Sequence, residues 1–185
     1  MKKLSVLACF CLLASASLFA QKYFTREGKI SFFSEASMEK IEAHNQKATS
    51  VLDAETGKME FAVLIKAFQF EKALMQEHFN ENYLESSKYP KAVFKGEIVD
   101  FANKVNLKKD GEYAVKVKGD LTIHGVTKQV ETDGVFKVAG GAISAVSTFD
   151  VALADHKVEI PALVKDNIAK TVKVSVDVQY QELKS

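Results

Sequence analysis

Cysteine is nearly absent from this sequence, proline is rare and tryptophan is missing. The 185 residues contain two prolines, no tryptophan and two cysteines, Cys9 and Cys11, which both lie near the N-terminus. Removal of the first 20 residues would leave a chain without a thiol, which excludes disulfides, thiolate metal sites and a cysteine nucleophile. Stability would then depend on the hydrophobic core alone, and a domain of this size buries about 70% of its unfolded surface.

The N-terminus has the organisation of a secretory signal peptide. Lys2 and Lys3 form a short positive region, an apolar run follows over 4–13, and small residues continue to Ala20. The run is too short to span a membrane as a helix. We predict cleavage after Ala20, with Ala16 as a second candidate, a mature domain over 21–185, and a periplasmic or secreted location.

The charge balance and the motifs exclude several classes of function. Loss of Lys2 and Lys3 changes the formal net charge from +1 to −1, and both signs are interspersed along the chain. This distribution predicts no nucleic-acid partner and no stable membrane insertion. The serines lack a Gly-x-Ser-x-Gly context, the carboxylates are scattered, and no glycine-rich phosphate loop follows a strand. We therefore predict that the protein is not an enzyme and has no cofactor.

Alternation of apolar and polar residues predicts an all-β domain. In the last run, every second residue from Val172 to Tyr180 is apolar and those between are polar. Comparable or less regular runs occupy 29–33, 41–44, 49–54, 61–70, 92–101, 126–138 and 143–153, and Gly111 opens a hairpin with the run 126–138. Regularly spaced strands with short turns predict a single antiparallel β-barrel of about eight strands. Such a barrel is either filled by side chains or holds one small ligand.

One segment has helical rather than strand periodicity. Met75, Phe79 and Tyr83 recur at four-residue spacing within 71–86. We predict that this single short helix packs across the barrel as a plug or lid. The 13 phenylalanines would supply an aromatic interior, which would either fill the core or line a ligand site.

Two motifs resemble a known family. The first is the segment Leu121-Thr122-Ile123-His124-Gly125-Val126-Thr127-Lys128, in which His124-Gly125 can form a two-residue hairpin loop. The second is the block 78–94, in which an Asn-rich acidic helix runs into Tyr89-Pro90 and then a strand. These motifs resemble the YceI-like family of periplasmic barrels. The resemblance implies a lipocalin-like barrel that holds an isoprenoid or acyl lipid as its ligand.

The site residues follow from the alternation and from the matched motifs. The candidate ligand-lining residues are Phe61, Val63, Phe79, Phe94, Leu121, Val151, Val174 and Val176. The predicted function is to sequester or transport an apolar chain of polyisoprenoid, isoprenoid quinone or fatty-acyl type. An alternative is a non-catalytic interaction or structural module of the cell envelope with a filled barrel, and a homodimer is compatible with either.

The histidines offer a second alternative, a site for a divalent metal. His78 and Glu81 are three residues apart on the predicted helix and could share a metal ion, although one such pair is fewer ligands than carboxylate metal sites use. We predict no metal site on this basis. The position of His124 in the hairpin loop is enough to explain that residue without a chemical role. His44 and His156 are predicted to be exposed.

Overall fold

A computed structural model describes residues 21–183. The predicted signal peptide and its cleavage after Ala20 concern residues outside this range. The described chain forms nine strands and two short α-helices, as follows: β1 (Lys22–Glu35), β2 (Lys40–Asp53), β3 (Lys58–Leu64), β4 (Gln69–Phe70), α1 (Ala73–His78), β5 (Lys91–Ile98), α2 (Phe101–Lys104), β6 (Gly111–Ile123), β7 (Val126–Ala139), β8 (Ala142–Ala152) and β9 (Thr171–Glu182). No helix within 21–183 is long and apolar enough to cross a membrane.

Eight of these strands close into an antiparallel barrel. Their order is β1-β9-β8-β7-β6-β5-β3-β2, and β2 pairs back with β1 to complete the ring, while β4 adds two residues beside β2. This arrangement confirms the predicted single barrel of about eight strands. The loop His124-Gly125 connects β6 to β7 with φ angles of 51° and 73°, so both residues adopt the positive φ that a tight hairpin requires.

The connections between strands lie at two opposite ends of the barrel. We call the end formed by 53–58, 98–111 and 139–142 the packed end, because α2 and a continuous apolar core close it. We call the end formed by 35–40, 64–91, 123–126 and 152–171 the hollow end. Two long connections cover the hollow end, the plug segment 65–90 and the return segment 153–170.

Four local predictions differ from the structure. The strand predicted over 92–101 ends at Ile98, and Phe101 begins α2 instead. The strand predicted over 61–70 ends at Leu64, since the chain turns through a 3-10 helix (Ile65–Ala67) across the hollow end and only Gln69–Phe70 pairs again. The runs 41–44 and 49–54 are parts of one long strand, β2. The helix predicted over 71–86 is α-helical only over Ala73–His78 and continues as a π-helical turn over Phe79–Tyr83.

The pairing of β7 with β8 leaves a gap in the barrel wall. Pairing between β7 and β8 runs from Ala139↔Ala142 to Gly134↔Ser147 and stops there. Beyond that point, residues 126–133 of β7 pair only with β6, and residues 148–152 of β8 pair only with β9. The side chains of Thr132 and Ser147 bridge the two strands where they separate, 3.2 Å apart between hydroxyl oxygens. The gap therefore opens toward the hollow end.

Candidate lipid-binding cavity

The hollow end of the barrel encloses an apolar cavity. Its volume is about 370 Å³, within the range of pockets that hold small ligands. Inward-facing apolar side chains from all eight barrel strands, mostly valines and phenylalanines, form the wall, since alternate residues of each strand point to the same side. The cavity shows that the barrel is filled at one end and hollow at the other. The filled-barrel alternative thus describes the packed end only.

All eight residues predicted from the sequence lie on the cavity wall. They are Phe61, Val63, Phe79, Phe94, Leu121, Val151, Val174 and Val176. Five of them, the three phenylalanines and the two valines of β9, are only partly buried although they point into the barrel. Side chains of a filled core would have no accessible surface at these positions. Contact of these residues with a ligand remains a prediction.

Four phenylalanines close the cavity beneath the plug segment. The Phe79 ring lies 5.5 Å from Phe32, 5.6 Å from Phe68 and 5.0 Å from Phe70, measured between ring centroids. These separations are in the range of favourable stacked and edge-to-face aromatic pairs. Phe79 thus joins the π-helical turn to β1 and to the chain that follows β3. Met75 and Tyr83, which share its spacing, also line the cavity, whereas Leu74 is exposed.

The ring of Phe94 occupies a space that two glycines leave open. Gly96 and Gly119 pair across β5 and β6, and a Cβ added to either would approach Phe94 Cζ to 2.4 Å or 2.8 Å. Real Cβ atoms do not come this close to other atoms. The glycines therefore let the aromatic ring lie flat against the wall, an arrangement seen where aromatic side chains cover glycines in sheets.

Tyr180 and Ser50 form a polar pair at the base of the cavity. Both are buried, and their hydroxyl oxygens are 2.9 Å apart. Burial raises the pKa of Tyr180 to about 12, and the hydrogen bond with Ser50 opposes this shift. Burial also raises the pKa of Tyr83, on the opposite side of the cavity. A phenol is already neutral near pH 7, and these shifts keep both groups neutral to higher pH, which suits an apolar chamber.

Glu39, Lys72 and Asn167 form a polar cluster at the edge of the cavity, and we call this partly exposed cluster the mouth. Glu39 lies in the loop between β1 and β2 and lines the cavity, with its side chain 27% exposed. Its Oε1 lies 3.2 Å from Lys72 Nζ on the plug segment, and its Oε2 accepts a 3.4 Å hydrogen bond from Asn167 on the return segment. Sequence reasoning missed this mouth, because its residues come from three distant segments.

The histidines differ in part from their prediction. His156 is buried, not exposed, and its Nδ1 donates to the carbonyl of Val126 at 3.0 Å. His124 fulfils its turn role and has further contacts, since its Nε2 lies 2.7 Å from Glu85 Oε2 and its ring packs edge-on against Tyr89. These contacts join the hairpin loop to both covering segments. The return segment is too long for a hairpin loop. Its length is the feature of the sequence that could have indicated a segment covering the end of the barrel.

His78 and Glu81 are both exposed, and only His78 also borders the cavity. Its Nδ1 lies 3.1 Å from the side-chain amide nitrogen of Asn82. Over residues 21–183, no group of three or more His, Cys, Asp or Glu side chains is placed to hold a metal ion.

A closed antiparallel barrel with one apolar chamber and a polar mouth defines the class of lipocalin-like barrels. The family model described as YceI-like domain matches residues 22–180, nearly the whole described chain. The chain belongs to the YceI-like family.

Solved structures share this fold at low sequence identity. A polyisoprenoid binding domain from Saccharophagus degradans, implicated in plant cell wall breakdown, is 17% identical, with a TM-score of 0.76 over 89% of this chain and 99% of that one. Burkholderia cenocepacia BcnA is 16% identical, with a TM-score of 0.66 over 83% of this chain and 96% of that one. The Campylobacter jejuni YCEI protein is 18% identical, with a TM-score of 0.61 over 77% and 85%. The comparison with curated proteins finds no match.

Proposed function

We propose that this protein is an exported, non-catalytic carrier that holds the apolar chain of one lipid inside the hollow end of its barrel. The apolar cavity of about 370 Å³ is the observation that carries this proposal. Polyisoprenoid, isoprenoid quinone and fatty-acyl chains are the ligand types that such a wall suits. Burial of hydrocarbon would supply the affinity, at about 0.8 kcal/mol per CH₂ group removed from water.

Two further observations support the proposal. The N-terminal sequence has the features of a signal peptide, which would deliver the domain to the periplasm or the cell exterior. The similar domain from Saccharophagus degradans is described as polyisoprenoid binding. A role in sequestration or transport follows, because an apolar chain in an aqueous compartment needs a chamber that excludes water.

Mass spectrometry of the purified protein tests the proposal. The full chain is expressed with its own N-terminus in a bacterial host and purified without detergent, and its native mass is compared with that of the solvent-extracted chain. We expect one extractable apolar lipid per chain and a mass consistent with cleavage after Ala20. The native spectrum also reports whether the chain forms a homodimer.

A pair of substitutions on one strand controls for surface binding. Val174→Phe adds bulk inside the cavity, whereas Lys173→Phe adds the same side chain at a neighbouring exposed position of β9. We expect Val174→Phe to reduce the co-purified lipid and Lys173→Phe to retain it. A clean ligand-free mass, with no uptake of offered polyprenols, quinones or fatty acids, would contradict the carrier function and favour an envelope interaction module.

A further inference from the structure

The cavity wall carries very few charged groups. Among the described residues that line it, there is no Lys, Arg or Asp, and Glu39 is the one carboxylate. The remaining ionisable side chains on the wall are His78, His156, Tyr83 and Tyr180. The wall therefore carries one carboxylate, which is paired with Lys72 at the mouth, and no permanent positive charge inside the cavity.

Glu39 is held at the mouth by the segments that surround it. The adjacent Met38 N–H donates to the carbonyl of Asp166 at 3.0 Å, which ties the loop between β1 and β2 to the return segment. Lys72 and Asn167 contact the two oxygens of Glu39 from opposite covering segments. A lipid that enters through the mouth with its head group last leaves that head group beside this carboxylate.

Two lysines beside the openings of the barrel, Lys72 and Lys116, are already paired with acids. Lys72 contacts Glu39 at the mouth. Lys116, beside the gap between β7 and β8, lies 3.1 Å from Glu131 and 3.3 Å from Asp133. An anionic head group that recruited Lys72 would separate it from Glu39 and place two negative charges together. Burial of an anion without a paired cation is unfavourable.

We infer that the mouth selects lipids by head-group charge, with Glu39 as the residue that determines specificity. The accepted lipids carry an uncharged head group that donates a hydrogen bond, such as an alcohol or a primary amide, because a carboxylate accepts such bonds strongly. Phosphate, diphosphate and carboxylate head groups are rejected. This inference rests on the proposed function, since it concerns which lipid the cavity accepts.

Competition between matched lipids tests the inference. The exported protein is loaded with the fluorescent probe 1-aminoanthracene, and displacement is measured at pH 8 with geranylgeraniol, geranylgeranyl diphosphate, oleyl alcohol and oleate below their aggregation limits. Within each pair the chain is the same and only the head group differs. We expect each alcohol to displace the probe at roughly tenfold lower concentration than its anionic partner, as one like charge near a partly exposed carboxylate predicts.

Three variants assign the selection to Glu39. Glu39→Gln removes the charge at nearly constant shape and should abolish most of the preference for the alcohols. Glu35→Gln is the matched control, since Glu35 lies at the same loop, is exposed and pairs with Lys40 at 2.7 Å without lining the cavity. It should retain the preference. Lys72→Gln leaves Glu39 without its cation and should increase the preference.

The outcomes separate this inference from the proposed function. Equal or tighter binding of the diphosphate or of oleate by the unaltered protein would overturn the charge selection while leaving the carrier function intact. A preference that survives Glu39→Gln would overturn the role of Glu39. Failure of the probe and of all four lipids to bind would overturn the carrier function, and the selection with it.

Discussion

The two ends of this barrel use the same kinds of side chain to opposite effect. At the packed end, Leu52 and Ile143 are at most 2% exposed and belong to one continuous core. At the hollow end, inward-facing residues such as Phe149 of β8 and Val174 of β9 keep accessible surface, and the buried residues divide into three smaller clusters around the cavity. Residue type alone therefore does not distinguish core from binding site.

The difference lies in what covers each end. Short connections and α2 close the packed end, and Phe101 of α2 is buried in its core. The plug and return segments cover the hollow end through aromatic packing of Phe79 on Phe32 and hydrogen bonds such as that from Asn167 to Glu39, and they leave the cavity beneath them. The packed end thus contributes most of the tight packing, and the hollow end contains the cavity. Substitutions at the packed end should mainly lower the free energy of unfolding, whereas substitutions at the hollow end should mainly lower lipid affinity.

The largest expected effect compares the same substitution at both ends. Leu52→Ala at the packed end should lower the free energy of unfolding by about 3–5 kcal/mol, because it opens a new cavity in a tightly packed core. Leu121→Ala on the cavity wall should cost about 2–3 kcal/mol, since it only enlarges existing space. Urea denaturation of the ligand-free proteins measures both. A larger loss of unfolding free energy for Leu121→Ala than for Leu52→Ala would contradict this comparison. It would show that Leu121 is packed more tightly than Leu52.

A second pair of substitutions compares the aromatic side chains that close each end. Phe101→Ala should lower the free energy of unfolding by about 3–4 kcal/mol and leave the lipid affinity of the folded protein unchanged, because Phe101 does not line the cavity. Phe79→Ala should lower lipid affinity by about tenfold, since it removes apolar contact area from the ligand. Probe displacement and urea denaturation distinguish the two. Retention of full affinity by Phe79→Ala or Phe79→Asp would contradict the lid role.

Alkaline pH should destabilise the base of the cavity through Tyr180. Its pKa is about 12 in the folded protein and about 10 in the unfolded chain. The stability that this neutral phenol contributes is therefore complete below pH 10 and is lost as the pH rises towards 12, by about 2–3 kcal/mol. Tyr180→Phe should flatten this part of the profile, measured as the free energy of unfolding between pH 9 and pH 12. An unchanged profile would assign the alkaline loss to other groups.

The smallest expected effect is at the rim of the hollow end. Glu85→Gln replaces the carboxylate beside His124 by an amide, and the Glu85 side chain is 44% exposed. We expect a loss of at most about 1 kcal/mol in the free energy of unfolding, as for most partly exposed ion pairs. Denaturation at low and high salt measures the effect. A loss well above this value would make the contact a structural requirement for the hollow end.

Much of the fold could be predicted because strand alternation is a local property. The alternate valines of β9 indicate their own inward face, and the His124-Gly125 turn follows from the residue types that tolerate positive φ. The boundaries were less predictable near the plug segment. There the apolar run 61–70 reads as one strand, but its second half leaves the sheet because it must cross the end of the barrel. The alternation of apolar and polar residues does not indicate where the chain must leave the sheet to cross the end of the barrel.

Local patterns were sufficient to identify the inward residues of the barrel and, through two motifs, the YceI-like family. Local patterns did not show that these residues surround a cavity, that His156 is buried, or that Glu39 meets Lys72 and Asn167 at its mouth. The two kinds of feature differ in the distance along the chain over which they are set. Alternation is set by neighbours along one strand. Empty volume, in contrast, depends on side chains from eight strands and two covering segments that meet only in the folded barrel.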